Sequence, residues 1–397
     1  VERLRKTPAL GTGTPDDGGM SGHDPSQELA DLTGAGLLRT LKPLDSPAGP
    51  RVVRQDRELW NFASNDYLGL AADAELAEAF IEGVRKYGAG SAASRLVCGT
   101  LPPHHLLEEA LAAAKGAEAA LVFTSGFATA VGSMPALAGK DDVLVLDKLC
   151  HASLIDGARL SGATIRVFPH NDTAKLARLL EGIRAKQPAA RVIVVTESVF
   201  SMDGDVCPLR EILELKDRHG ALLFLDEAHS FGVLGPRGMG LAAELGLQDR
   251  VDFQMGTFSK AAGLSGGYLV TSAAWRDLLV NRARSFIYST APPPALAHAA
   301  MASLERIRSA DGEARRSRLR EYIARLSPGH PSPVIPVVLG GNEAALEAAA
   351  RLEARGFLVP AIRYPTVPRG TARLRISLSA AHPHEAVAAL CVGMASE

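Results

Sequence analysis

The chain has 397 residues, 47% of them apolar, with 43 basic against 44 acidic side chains and a net charge of -1. That length supports two or three domains around a large core, and a mean hydropathy of +0.07 is that of a soluble globular chain. The balanced charge excludes a broad nucleic-acid footprint, the lack of any run of about 18 apolar residues excludes a membrane-spanning helix, and four scattered cysteines (Cys98, Cys150, Cys207, Cys391) suit a reducing cytoplasm rather than a zinc site or a disulfide framework.

Residues 1–27 are rich in Gly, Thr, Pro and Asp, show no period and lack the apolar stretch of a signal peptide. They read as a disordered N-terminal extension, with Met20 available as an alternative start. Residues 28–67 are expected to pack over the body. Residues 68–294 alternate amphipathic stretches, predicted as helices at 104–115, 173–186 and 209–219, with short apolar runs. Those runs predict strands at 120–123, 143–146, 164–168, 192–196, 222–225 and 268–271. Strands alternating with helices indicate an α/β fold whose mostly parallel sheet is covered on both faces. After Pro292-Pro293-Pro294 a connecting helix is expected over 295–309 and a basic one over 314–326. Strands at 334–339 and 374–378 and helices at 343–355 and 383–392 complete a smaller C-terminal α/β domain spanning 295–397.

Chemistry concentrates near the ends of the predicted strands. Asp226 closes the apolar run from Ala221, and Lys260 stands among small residues in Gly256-Thr257-Phe258-Ser259-Lys260-Ala261-Ala262-Gly263. A lone lysine is far more often a surface residue, but an amine held at a turn beside a strand-end carboxylate is the pair that pyridoxal phosphate requires. The amine bonds its aldehyde, and the anion keeps its ring nitrogen protonated. His229 can reach the phenolic oxygen of the cofactor or serve a structural role, and Ser201 can donate to its ring or simply occupy a turn. Ser125-Gly126-Phe127, between a strand and a helix, suits a phosphate. His151, at another helix start, can stack on a planar ring or serve as a buried structural histidine.

Competing signals are weaker. Asp203-Gly204-Asp205 reads as a turn, and His104-His105 lacks carboxylates at ligand spacing, so no metal is expected. Gly88-Ala89-Gly90 lacks the rest of a dinucleotide fingerprint. Gly263-Leu264-Ser265-Gly266-Gly267 fits the GxSxG of serine hydrolases, yet a loop precedes Ser265 and a strand is expected after it, the reverse of a nucleophile elbow.

Taken together, the motifs resemble those of the α-oxoamine synthases, fold-type I pyridoxal-phosphate transferases that join an amino acid to an acyl thioester with loss of CO2. The resemblance runs from about Arg39 to His382. It includes Asn61-Phe62-Ala63-Ser64-Asn65-Asp66-Tyr67-Leu68-Gly69, Thr124-Ser125-Gly126-Phe127, His151-Ala152-Ser153, Glu197-Ser198-Val199-Phe200-Ser201-Met202-Asp203-Gly204, Asp226-Glu227-Ala228-His229 and Thr257-Phe258-Ser259-Lys260. By matching position it implies that Lys260 bonds the cofactor, Asp226 meets the ring nitrogen, His151 stacks on the ring, and Ser201 and His229 meet the phenolic oxygen. The phosphate falls to Gly126, Phe127 and Thr257, with Ser289 and Thr290 reaching in from a second subunit of a homodimer. Asn65 and Arg375 are implied to hold the amino-acid carboxylate, with Arg39 near the acyl-binding entrance and Thr366 among the substrate-binding residues.

Residues 361–368 followed by 370–375 are similar to the branch of the family that joins L-alanine to a pimeloyl thioester, carried by coenzyme A or by acyl carrier protein. The alternative is a glycine-using relative such as the 2-amino-3-ketobutyrate ligases, which Cys98-Gly99-Thr100 resembles.

Overall fold

A computed structural model of the chain describes residues 24–394. The described residues divide into two compact units, 24–42 and 43–394. Within the first, the helix Pro25–Gly34 starts inside the segment expected to be disordered, with Asp24 accepting from the Ser26 N–H as its cap and proline in its first turn. Residues 1–23 of that expected extension lie outside the described residues.

The second unit opens with a hairpin of β1 (Arg51–Arg54) and β2 (Arg57–Asn61). Its turn residues Gln55 and Asp56 both have positive φ, 52° and 59°, the geometry that matches the twist of paired strands. The main sheet follows: β3 (Ala119–Phe123), β4 (Val143–Asp147), β5 (Thr164–Phe168), β6 (Val192–Glu197), β7 (Leu222–Asp226), β8 (Phe253–Thr257) and β9 (Gly267–Thr271). Their order is β3-β9-β8-β7-β6-β4-β5, and β9 alone runs antiparallel to its neighbours.

Alternation along the strands sorts their side chains into two cores. Leu144, Leu146, Ile193, Val195 and Phe224 face one way, onto Ala130, Met134, Leu154 and Ala158 of the helices Gly126–Leu137 and Ala152–Ser161. Val143, Val145, Val194, Leu223 and Leu225 face the other way, onto Leu176, Leu180, Ile212 and Leu213 of the helices Thr173–Lys186 and Leu209–Arg218. Burial on both faces is why β3, β4, β6, β7 and β9 are largely apolar runs, whereas the edge strand β5 is half exposed and carries Arg166; the sequence predicts these six of the seven.

The missing strand is β8. Gln254 and Gly256 break its apolar run, and Gly256 has a packing reason: a Cβ there would lie 2.3 Å from the Tyr268 ring on β9.

The helices Pro294–Arg308 and Ala310–Leu326 lead into β10 (Val334–Gly340), β11 (Phe357–Leu358), β12 (Ala361–Ile362) and β13 (Ala372–Ser377). Strands β10, β13 and β12 form an antiparallel sheet, while β11 pairs in parallel with β2 and ties the hairpin to the C-terminal region. Among the described residues no helix is long and apolar enough to cross a membrane.

Candidate active site

Parallel strands β4, β6, β7 and β8 end along one edge in Asp147, Glu197, Asp226 and Thr257. Carboxyl edges of such sheets are where ligands bind. A cavity of about 290 Å³ opens there, walled by Lys260, Asp226, Glu197, His151, His229 and the turn 125–127.

Local structure places each group. Thr257 Oγ1 donates to the Gly266 carbonyl at 2.7 Å and accepts from the Ser259 N–H, folding the chain sharply after β8 so that Lys260 lies on the cavity wall. Burial lowers the Lys260 amine below the usual lysine range, against the opposing pull of the Asp226 and Glu197 carboxylates. Asp226 is buried and accepts from the Ala228 N–H at 2.8 Å; burial raises its carboxyl, and Lys260 opposes that rise. His229, also buried, is held well below the usual histidine range by burial and by the nearby cations Lys260 and Arg375. His151 sits at the mouth as the cap of its helix, with Nδ1 against Ser153 Oγ at 2.8 Å and its backbone N–H donating to Glu197 Oε1 at 2.5 Å.

Opposite the lysine, Ser125 Oγ accepts from the Ala128 N–H at 3.0 Å and caps the helix from Gly126. The N–H groups of Gly126 and Phe127 belong to the donors that a helix start leaves without intrahelical partners. Gly267 allows this turn to lie against β9, since a Cβ there would fall 2.6 Å from the Ser125 carbonyl oxygen and 2.7 Å from the Gly126 nitrogen. An amine, a buried carboxylate, two imidazoles and a helix start around one cavity form the donor set that fits pyridoxal phosphate.

Arg375, on β13, donates from Nη1 to Asn65 Oδ1 at 3.0 Å and to Ser377 Oγ at 2.8 Å, and from Nε to the Ser201 carbonyl at 2.6 Å. The expected substrate pair and Ser201 are therefore assembled together, although Ser201 is not on the cavity wall. Ser289, Thr290 and Thr366 are also not on that wall: the Thr290 backbone bridges Ser94, and Thr366 lies in an exposed turn. Arg39 belongs to the N-terminal unit. Ser265 sits in the turn before β9 and not between a strand and a helix, so the nucleophile elbow is absent.

Among the wall residues to which the sequence assigns no role are Ser259 and Glu197. Ser259 had only its place beside the lysine to mark it. Glu197 carried the same signal as Asp226, an acid ending an apolar run, and the register sets it directly opposite Asp226.

Behind the wall, His170 bridges two acids, with Nδ1 3.0 Å from Asp147 Oδ1 and Nε2 2.7 Å from Asp205 Oδ2. Burial opposes protonation of this ring, but its two carboxylate partners outweigh burial and push His170 up to about 10. The clasp fixes the loop that carries Ser201 and Asp203, the latter paired with Arg373. Because the folded-state value is raised, its stabilisation is complete below about pH 6.5 and fades as pH climbs toward 10. With Asp205 partly exposed, screening leaves on the order of 1 kcal/mol. His170→Asn is therefore expected to lower the unfolding midpoint at pH 6 and to converge on the parent by pH 10. Parallel midpoint curves for parent and variant across that range would overturn the linkage.

The fold and this donor set define a pyridoxal-phosphate enzyme of fold type I, and the chain belongs to the aminotransferase class I and II family, matched over residues 57–393. It is 50% identical over 365 residues to the 8-amino-7-oxononanoate synthase of Anaeromyxobacter dehalogenans, covering 89% of this chain and 90% of that one. The enzyme of that name from Burkholderia cenocepacia is 46% identical over 376 residues, covering 91% and 92%. Among solved structures, the serine palmitoyltransferase of Sphingomonas wittichii matches with a TM-score of 0.87 at 30% identity, covering 94% of this chain and 95% of that one. The Francisella tularensis 8-amino-7-oxononanoate synthase matches with 0.71 at 27%, covering 85% and 98%. The protein is a pyridoxal-phosphate-dependent acyltransferase of the α-oxoamine synthase group.

Proposed function

We propose that this enzyme condenses L-alanine with a pimeloyl thioester, on coenzyme A or acyl carrier protein, to give 8-amino-7-oxononanoate, CO2 and the free thiol, in cytoplasmic biotin biosynthesis. The observation that carries the reading is one cavity uniting Lys260, Asp226 and the helix start at Gly126, with the Arg375–Asn65 pair built in behind His229 through Tyr67. Relatives at 50% identity over nine-tenths of their length support the choice of substrates.

When bound, pyridoxal phosphate supplies an aldehyde that takes the substrate amine and a protonated ring that accepts an electron pair from Cα. Gly126, Phe127 and Thr257 would hold its phosphate, Asp226 would keep the ring nitrogen protonated, and His151 would stack on the ring. Ser201 and His229 address the phenolic oxygen. Arg375 and Asn65 hold the alanine carboxylate. The lowered Lys260 amine then removes the Cα proton as general base and returns one at the end. Between these steps the Cα–acyl bond forms as the thiolate leaves, and the Cα–carboxyl bond breaks to release CO2. Thr366 is assigned to substrate binding, and Arg39 to the acyl entrance.

Ser289 and Thr290 are assigned to the phosphate of a second subunit in a homodimer. The surface around them suits such a partner: Leu96, Val97 and Tyr288 are 53%, 78% and 71% exposed, and the Ser94–Thr290 bridge joins their two segments.

Release of free thiol by the holoenzyme tests the reading. L-alanine with pimeloyl-CoA is expected to exceed glycine with acetyl-CoA in kcat/KM by at least ~10-fold, the discrimination that even one misfitted methylene gives. The reverse preference would move the enzyme to the glycine-using branch.

A further inference from the structure

A buried hydrogen-bonded chain runs behind the cavity wall through Tyr67, a residue with no part in the steps above. Tyr67 is fully buried, with its hydroxyl oxygen 2.6 Å from Nδ1 of His229 and 3.3 Å from Oδ1 of Asn65. Asn65 Oδ1 also accepts from Arg375 Nη1 at 3.0 Å. Tyr67 thus joins a histidine on the cavity wall to the arginine and asparagine assigned to the substrate carboxylate.

A phenol has one proton to give, and its position decides what His229 can do. If Tyr67 donates to Nδ1, the imidazole carries its own proton on Nε2, the ring nitrogen that Tyr67 does not engage. If Nδ1 donates instead, Nε2 is a bare acceptor. The distances favour the first arrangement, because the contact to Nδ1 is the short one and the Asn65 oxygen already receives an Arg375 N–H. Acid–base chemistry agrees. A phenol donates more readily than a neutral imidazole, burial pushes Tyr67 up so that it keeps its proton, and burial with nearby cations keeps His229 neutral.

We propose that Tyr67 is a positioning residue that fixes His229 with its proton on Nε2, making the imidazole a donor to the phenolic oxygen of the cofactor and coupling it to the Asn65–Arg375 pair. The proposal rests on the cofactor reading given above. A donor at that oxygen stabilises its deprotonated form, so losing it raises the pH at which the bound cofactor titrates.

Two measurements test this. In apo-protein labelled with ring-15N histidine, His229 is expected to show an unprotonated Nδ1 and a protonated Nε2 from pH 6 to 9. Tyr67→Phe, which removes only the hydroxyl, is expected to give shifts averaged between the tautomers. In the holoenzyme the same variant is expected to raise the pH midpoint of the visible cofactor band by ~1 unit. A proton on Nδ1 of His229 in the parent protein overturns the proposal, and that spectrum decides it even if the variant does not fold. Tyr67→Phe with unchanged ring shifts and an unchanged midpoint also overturns it. Failure of the cofactor reading looks different: reconstituted parent enzyme shows no visible band, which removes the target of the Nε2 proton while the ring shifts stay as described.

Discussion

Lys260→Ala is expected to reduce kcat/KM by at least ~10⁴-fold, since one substitution removes both the group that bonds the cofactor and the general base, and base catalysis alone is worth ~10²–10⁴. The fold is expected to survive. The amine lies on a cavity wall and not in either apolar core, so far-UV circular dichroism and the thermal midpoint of the apo-protein are expected to match the parent. Cofactor is still expected to bind, because the helix start at Gly126 and the carboxylate of Asp226 are untouched, but without the visible band of the lysine-bonded form. Asp226 provides an internal check. Lys260 opposes the upward push of burial on that carboxyl, so in the apo-variant Asp226 is expected to hold its proton to higher pH. A variant that turns over at the parental rate would remove Lys260 from the chemistry.

What the sequence disclosed and what it hid have physical explanations. A strand buried on both faces is largely apolar, which is why β3, β4, β6, β7 and β9 stand out; the edge strand β5 shows through its β-branched and aromatic residues, and β8 gives up the pattern at Gly256 so the Tyr268 ring can lie against it. The hairpin strands β1 and β2 carry Arg51, Arg54, Arg57 and Glu58 and have no such run, and β11 and β12 are two residues each, too short to show any period. In the site, Asp226 and Lys260 were legible because each stands at a break in a local pattern. Tyr67 was not, because its importance comes from a contact with a residue 162 positions away. Glu197 shows a different failure. Its signal was local and identical in kind to that of Asp226, but only the register reveals that two buried acids lie side by side, where burial and then Asp226 push the Glu197 carboxyl well above the usual range.

The residue after Asp226 supports the second large prediction, one of stability. Glu227 is 0% exposed and pairs with Lys115, 1% exposed, whose amine also donates to the Met239 carbonyl at 2.8 Å and lies 5.5 Å from the centre of the Phe231 ring. The other Glu227 oxygen accepts from the Ala242 N–H at 3.1 Å, and its backbone N–H donates to the Met255 carbonyl on β8 at 2.8 Å. One buried ion pair thus links the helix Pro102–Lys115 to the ends of β7 and β8 that carry the cofactor groups. Lys115→Met keeps much of the side-chain volume but strands a carboxylate in the core, and is expected to destabilise the apo-protein by about 3–5 kcal/mol. The size of that loss is a desolvation penalty and does not measure the net worth of the pair, so adding Glu227→Gln should recover most of it. Urea unfolding of parent, single and double variants, without cofactor so that ligand binding does not mask the change, separates the terms. A single variant within about 1 kcal/mol of the parent would mean that Glu227 is protonated or reached by water once its partner is gone. A double variant as unstable as the single one would mean that the lysine acts through its packing against Phe231 and its bond to Met239, with its charge secondary.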